Sequence, residues 1–172
     1  MRLLISNPSI VVALEQVGFL DLLFNLPIEI NVTEFLYERE LEGCIGQRLL
    51  QLGLQIRPLG SEMTTLATKS RRQFPTLCLD EGYAFALALK SSFVLLTISP
   101  ELSRLAEIEK VSYRSLIWFF DLVMHNRTIA QDSLCQGILT IAETTRCHLL
   151  KKEAVAWLSH SSSLLNNNDE LQ

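Results

Sequence analysis

The sequence predicts an α/β fold in which a parallel sheet lies between layers of helices. Three observations carry that expectation. Apolar runs without polar alternation, Leu3-Leu4-Ile5 and Phe93-Val94-Leu95-Leu96-Thr97, suit strands buried on both faces. Segments of helical period separate the strand-like runs, as in a parallel sheet with crossover helices. The chain has 172 residues, 48% of them hydrophobic and 20% charged, enough for one domain with a substantial core and marginal for two.

The elements follow in order. After Leu3–Ile5 comes Ser6-Asn7-Pro8-Ser9, and Pro8 suits a first helical turn, where its missing N–H costs nothing. Ile10, Val11, Leu14 and Val17 then mark one helix face. Phe19–Phe24 continues as a short helix stopped by Pro27, and Ile28–Val32 alternates like a second strand. Thr33 can cap the next helix, whose apolar positions are Leu36, Tyr37, Leu41, Ile45 and Leu49. Leu54–Leu59 reads as a third strand, and a polar helix spans Ser61–Arg72 until Phe74-Pro75. Asp80 is expected to cap a small-residue helix, EGYAFALALKSS, able to pack close to a sheet. Phe93–Thr97 is the next strand, Ser99-Pro100 opens another helix, and Val111–Tyr113 reads as a short last strand. From Ser115 the chain turns helical, with a capping box at Thr128 and Gln131 and a further helix over Lys151–Leu158. The organisation expected is one domain over 1–158, its helical part 115–158 covering a flank, and a frayed tail over 159–172.

Bulk charge narrows the function classes. A net charge of −4 gives no global basic signal for nucleic acid, though a local groove could exist. No segment approaches the roughly 20 apolar residues of a membrane span, and the broken N-terminal run does not read as a signal peptide. Cys44, Cys78, Cys135 and Cys147 form no CxxC pair. They read as buried free thiols of a reducing, cytoplasmic compartment.

Chemistry concentrates at one edge. Strand tips and the starts of following helices meet along the carboxyl edge of a parallel sheet, where open α/β folds place ligands. That edge receives Asn7 after the first strand, Glu34 after the second, Ser99 after the fourth, and Asp80 and Glu81 at the small-residue helix. Hard divalent cations want several oxygen ligands, anionic ones above all. Each residue also has a plain structural role open to it, as an Asx turn, an N-cap or a complement to a helix N-terminus.

With these residues placed, the chain resembles the PIN-domain family, and within it the VapC-type toxin ribonucleases and their relatives. The matching stretches are LLISNPSIVVALEQVGFLDLLF, INVTEFLYEREL, LDEGYAFALALKSSFVLLT and RCHLLKKEAVAWL, in that order. The resemblance implies a parallel sheet between helices and an acidic cluster that binds Mg²⁺ or Mn²⁺ to cleave RNA. The family's first aspartate falls at Asn7, its second acid at Glu34, its third at Glu81, and its fourth site at Thr97-Ile98-Ser99. Two acids are kept, so Glu34 and Glu81 are the implied metal ligands. Two are gone, with Asp80 and Glu101 as possible substitutes. Asn7 keeps the shape of an aspartate without its charge, and it cannot take a proton from an attacking water.

Two functions follow from the resemblance. One is a PIN-like domain with lost or weakened nuclease activity and a binding role. The other is an active Mg²⁺- or Mn²⁺-dependent ribonuclease toxin of a toxin–antitoxin system. Lys69, Arg71 and Arg72 are the densest basic cluster and could meet an RNA backbone or simply be solvated. His125, His148 and His160 read as surface or packing residues. The run Leu116-Ile117-Trp118-Phe119-Phe120 is too broad for a one-sided helix; the domain's own C-terminal helices can bury it, and the sharper expectation is a homodimer, or an antitoxin, covering part of it.

Overall fold

The computed structural model describes residues 1–126, 128–145 and 148–166. Five parallel strands form one sheet: β1 (Arg2–Ile5), β2 (Glu29–Thr33), β3 (Gln55–Arg57), β4 (Val94–Leu96) and β5 (Tyr113–Arg114), in the order β3-β2-β1-β4-β5. Chain direction across the sheet reverses between β1 and β4, so the crevice beyond their carboxyl ends is the topological switch point. Ser6 pins that point, because its N–H and its hydroxyl both donate to Leu96 O, at 3.2 and 3.0 Å.

Alternation along the strands makes the layers. Leu3, Ile5, Ile30, Val32 and Leu96 face one core, whereas Leu4 and Leu95 face the other. The first core is closed by α1 (Pro8–Gln16), α2 (Leu20–Phe24), the helical segment from Glu34 to Gln51, and three C-terminal helices, α8 (Leu116–His125), α9 (Gln131–Thr144) and α10 (His148–Asn166). The second is closed by α5 (Ser61–Gln73), α6 (Leu79–Lys90) and α7 (Pro100–Ile108). The predicted three-layer α/β/α architecture with a helical C-terminal part is therefore the observed one.

Several local expectations shift. The helix after β2 opens as α3 (Glu34–Leu36) with Thr33 as its N-cap, continues as a π-helix (Tyr37–Gly46), and ends as α4 (Gln47–Gln51). Its buried positions Tyr37, Leu41 and Gly46 are spaced by four and five, which suits the wider π turn. The N-cap of α6 is Cys78, not Asp80: its sulfur accepts from the Glu81 N–H at 3.5 Å, and Glu81 returns a bond to the Cys78 N–H. Asp80 is the second helical residue and turns its carboxyl elsewhere. Thr128 does not cap α9, since Ala130 occupies the cap position and Thr128 lies two residues farther out. The last strand starts at Tyr113, not Val111. Lys110, at φ 57°, closes α7, and the Val111 N–H is spent on Ala106 O.

The aromatic helix is covered from within. Phe119 and Phe120 are fully buried, Trp118 is half-buried against the same core, and α9 and α10 pack on α8. The chain's own C-terminal helices thus bury Phe119 and Phe120, while Ile117, Trp118, Leu122 and Met124 are partly buried. α10 extends past 158 to Asn166, and residues 167–172 lie outside those described. Among the described residues Cys44, Cys78 and Cys135 are free, but they are exposed or half-buried rather than buried, and Cys147 lies outside. His125 is exposed at the end of α8, its ring Nδ1 3.0 Å from Asp121 O; the side chains of His148 and His160 lie outside the described residues. Among the described residues no helix is long and apolar enough to cross a membrane.

Candidate functional site

Asn7, Glu34 and Ser99 each follow a strand at the carboxyl edge of the sheet, as their sequence positions predict, and Glu81 is brought to Asn7 by α6. What they do there is mostly backbone work. Asn7 is the N-cap of α1: its Oδ1 accepts from the Ser9 N–H at 2.9 Å. That bond settles which end of the amide points which way. Nδ2 must then face outward from the cap, and it donates to Glu81 Oε1 at 3.5 Å. The other Glu81 oxygen, Oε2, accepts from the Cys78 N–H at 3.0 Å.

The remaining positions are occupied in the same way. Glu34 Oε1 accepts from the Leu59 N–H at 2.6 Å and so ties the start of α3 to the loop after β3. Ser99 caps α7 by accepting from the Leu102 N–H at 3.3 Å, and its hydroxyl donates to Glu101 Oε2 at 3.5 Å. Glu101 therefore complements the start of α7. Thr97, almost fully buried, accepts from the Ser99 N–H at 3.0 Å.

This donor set does not fit a hard divalent cation. An ion at the corner would need Asn7 to present oxygen, but its oxygen is committed to the cap and its N–H₂ faces the one carboxylate nearby. Both Glu81 oxygens and one Glu34 oxygen already accept hydrogen bonds. Among the described residues no group of three or more His, Cys, Asp or Glu lies close enough to hold a metal. The amide at position 7 suits this arrangement better than a carboxylate would: one end accepts, the other donates, and Glu81 is not faced by a second anion.

Asp80 is the exception. It is only 9% exposed, and among the described residues its Oδ1 is buried without a hydrogen-bond partner. Burial pushes its carboxyl above the ordinary Asp range; the Arg39 guanidinium pulls it back, while Glu40 and Glu81 push it further up. The sign of the consequence follows. A carboxyl whose folded pKa is raised contributes stability that is complete below its unfolded value, near 3.8, and lost as pH rises through the folded value. Asp80→Asn removes that loss. Urea unfolding of the variant is expected to match wild type near about pH 4 and to exceed it by roughly 0.5 kcal/mol at neutral pH, some of the gain being offset by the lost helix-terminus charge.

Sequence reasoning missed the aromatic wall beside this corner. Phe35, in the first turn after β2, meets Tyr83 of α6 with ring centroids 4.7 Å apart, and the Arg39 guanidinium lies 4.9 Å from the Phe35 centroid. Tyr83 Oη lies 3.4 Å from Thr64 Oγ1 on α5. The basic cluster divides in two. Arg71 donates Nε–H to Leu77 O at 3.1 Å and so holds the α5–α6 turn, whereas Lys69 and Arg72 are exposed beside Thr64, Thr65 and Thr68. The only signal for Phe35 and Tyr83 was two aromatics near the opening turns of helices that reach the same edge.

No family model matches this chain, and no curated protein matches it. The corner must be read from its own chemistry.

Proposed function

We propose that this chain is a PIN-like domain that has given up metal-dependent nuclease activity and acts by binding, with single-stranded RNA as its partner. The observation that carries the first half is the Asn7 amide, which offers Glu81 an N–H₂ donor in the place where the family resemblance implies an anionic metal ligand. Neither Mg²⁺ nor Mn²⁺ is part of this reading. The second half is supported by the Phe35–Tyr83 pair with Arg39 over the Phe35 ring, since bases stack on aromatic rings and guanidinium planes. The exposed Lys69 and Arg72 on α5 add positive charge for the backbone. With a net charge of −4, affinity should be modest and fall steeply with salt. Neither a homodimer nor an antitoxin is needed to cover the apolar face of α8.

The alternative reading is an active Mg²⁺- or Mn²⁺-dependent ribonuclease toxin, favoured by a buried carboxylate oxygen that has no partner among the described residues, Asp80 Oδ1. Calorimetry with Mn²⁺ separates the two. Under our reading the wild-type chain gives no saturable heat, and a short oligoribonucleotide is bound but not cut. Asn7→Asp then sets two carboxylates about 3.5 Å apart and costs about 1–2 kcal/mol of stability in metal-free buffer at neutral pH. Saturable Mn²⁺ binding that disappears in Glu81→Gln overturns the proposal and restores the nuclease reading.

A further inference from the structure

A half-open cavity of about 510 Å³ lies beyond the carboxyl ends of β4 and β5, between α7 and α10. Asn7, Glu34 and Glu81 do not line it, although Thr97 and Ile98, next to Ser99, do. Its volume is in the range of ordinary small-molecule sites, which run from about 300 to 1,000 Å³. Three charged side chains line it: Glu107, which accepts the Tyr113 hydroxyl, and two of opposite sign, Arg104 from α7 and Glu153 from α10. Among the described residues neither has an ion-pair or hydrogen-bond partner, and they do not pair with each other.

That is an unusual way to leave a half-buried carboxylate. Glu107, on the same wall as Arg104, accepts the Tyr113 hydroxyl at 2.6 Å. Glu153 also faces Tyr113 but takes no bond from it, and burial pushes its carboxyl above the ordinary range. An ammonium group arriving at Glu153 would restore the solvation that burial removes. Arg104 presents a planar fork suited to a carboxylate, and the hydroxyls of Ser103 and Ser115 supply further donors. Ile98, Pro100 and Leu150 give the cavity an apolar lining against which methylenes can rest.

We infer that this cavity binds a small zwitterion of amino-acid size, its carboxylate on Arg104 and its ammonium on Glu153. The inference goes beyond the binding role assigned to the Asn7 edge and stands or falls independently of it. With Glu107 spent on Tyr113, the two charges left without a partner, Arg104 on one wall and Glu153 on the other, select against simple anions and simple amines. Each of those satisfies one wall and leaves the other charge as it was.

Titration of the full chain with glycine, 4-aminobutyrate and lysine, followed by calorimetry or by NMR shifts of Ser103, Tyr113 and Ser115, tests it. Acetate and methylammonium serve as half-ligands. The expected result is saturable binding of at least one zwitterion, weakened about tenfold or more by Arg104→Gln and by Glu153→Gln separately, with neither half-ligand saturating. Arg104→Lys keeps the charge without the fork and should weaken binding less. Both residues sit on helix surfaces, and an unchanged circular dichroism spectrum confirms that the variants fold. Failure of all three zwitterions to saturate overturns the inference. So does binding that both Gln variants leave intact, or acetate binding as well as any zwitterion.

Discussion

Phe119→Ala should cost about 3–5 kcal/mol of unfolding free energy, the range for truncating a fully buried phenylalanine. Phe119 is fully buried and tilts against Phe120, ring centroids 5.5 Å apart, in the core shared with β1, α1 and the C-terminal helices. Removing the ring loses its transfer free energy and leaves a cavity lined by side chains of several elements, so little of the space can close. Urea unfolding measures the loss. Because the ring is covered from within the chain, the unfolding midpoints of wild type and variant should both be independent of protein concentration. A midpoint that rises with concentration would mean that a second copy helps cover α8, as the apolar run alone suggested. A loss below about 1 kcal/mol would mean that the ring is not in the core at all.

That example also marks where the sequence stops being legible. Apolar runs and helical periods place every strand to within about two residues, because burial on both faces leaves a pattern that needs no partner to be read. They do not say whether the apolar residues crowded on α8 meet their own chain or another. The partner helices α9 and α10 lie farther along the chain, and nothing local says which apolar face they cover. Polar roles fare similarly. Asn31 reads as one step in an alternating strand, yet it is fully buried and donates Nδ2–H to Leu3 O and Glu29 O at 3.1 and 3.0 Å. Its oxygen accepts from Arg57 Nε at 2.6 Å, and the same guanidinium bonds Glu29 and holds that carboxyl below its usual range. β1, β2 and β3 are thereby tied in register by the Asn31 side chain, whose cross-strand partners Arg57 and Leu3 are 26 and 28 residues away. At the carboxyl edge the positions of Asn7, Glu34, Glu81 and Ser99 were readable from strand order. Their hydrogen bonds were not, and those bonds decide whether an oxygen is free to bind an ion or already spent on the backbone.

Gly137→Ala should destabilise the protein by about 2 kcal/mol, although alanine favours a helix interior over glycine by about 1 kcal/mol. Gly137 lies in the middle of α9 with a helical backbone, so no turn or positive φ requires it. Packing does. A Cβ built there would fall inside the van der Waals envelope of Phe19 Cε2 and Cζ, and Phe19, 6% exposed between α1 and α2, has little room to retreat. Overpacking of that kind costs about 1–3 kcal/mol or more and outweighs the propensity gain. The two contributions separate in a double-mutant cycle. With Phe19→Leu already in place the ring atoms that clash are gone, and Gly137→Ala should then be neutral or stabilising by up to about 1 kcal/mol, leaving a coupling energy of about 2–3 kcal/mol between the two sites. If instead Gly137→Ala stabilises the wild-type chain, α9 does not rest on Phe19. The C-terminal helices would then cover α8 by some other packing, and the burial of Phe119 and Phe120 would need a different cover.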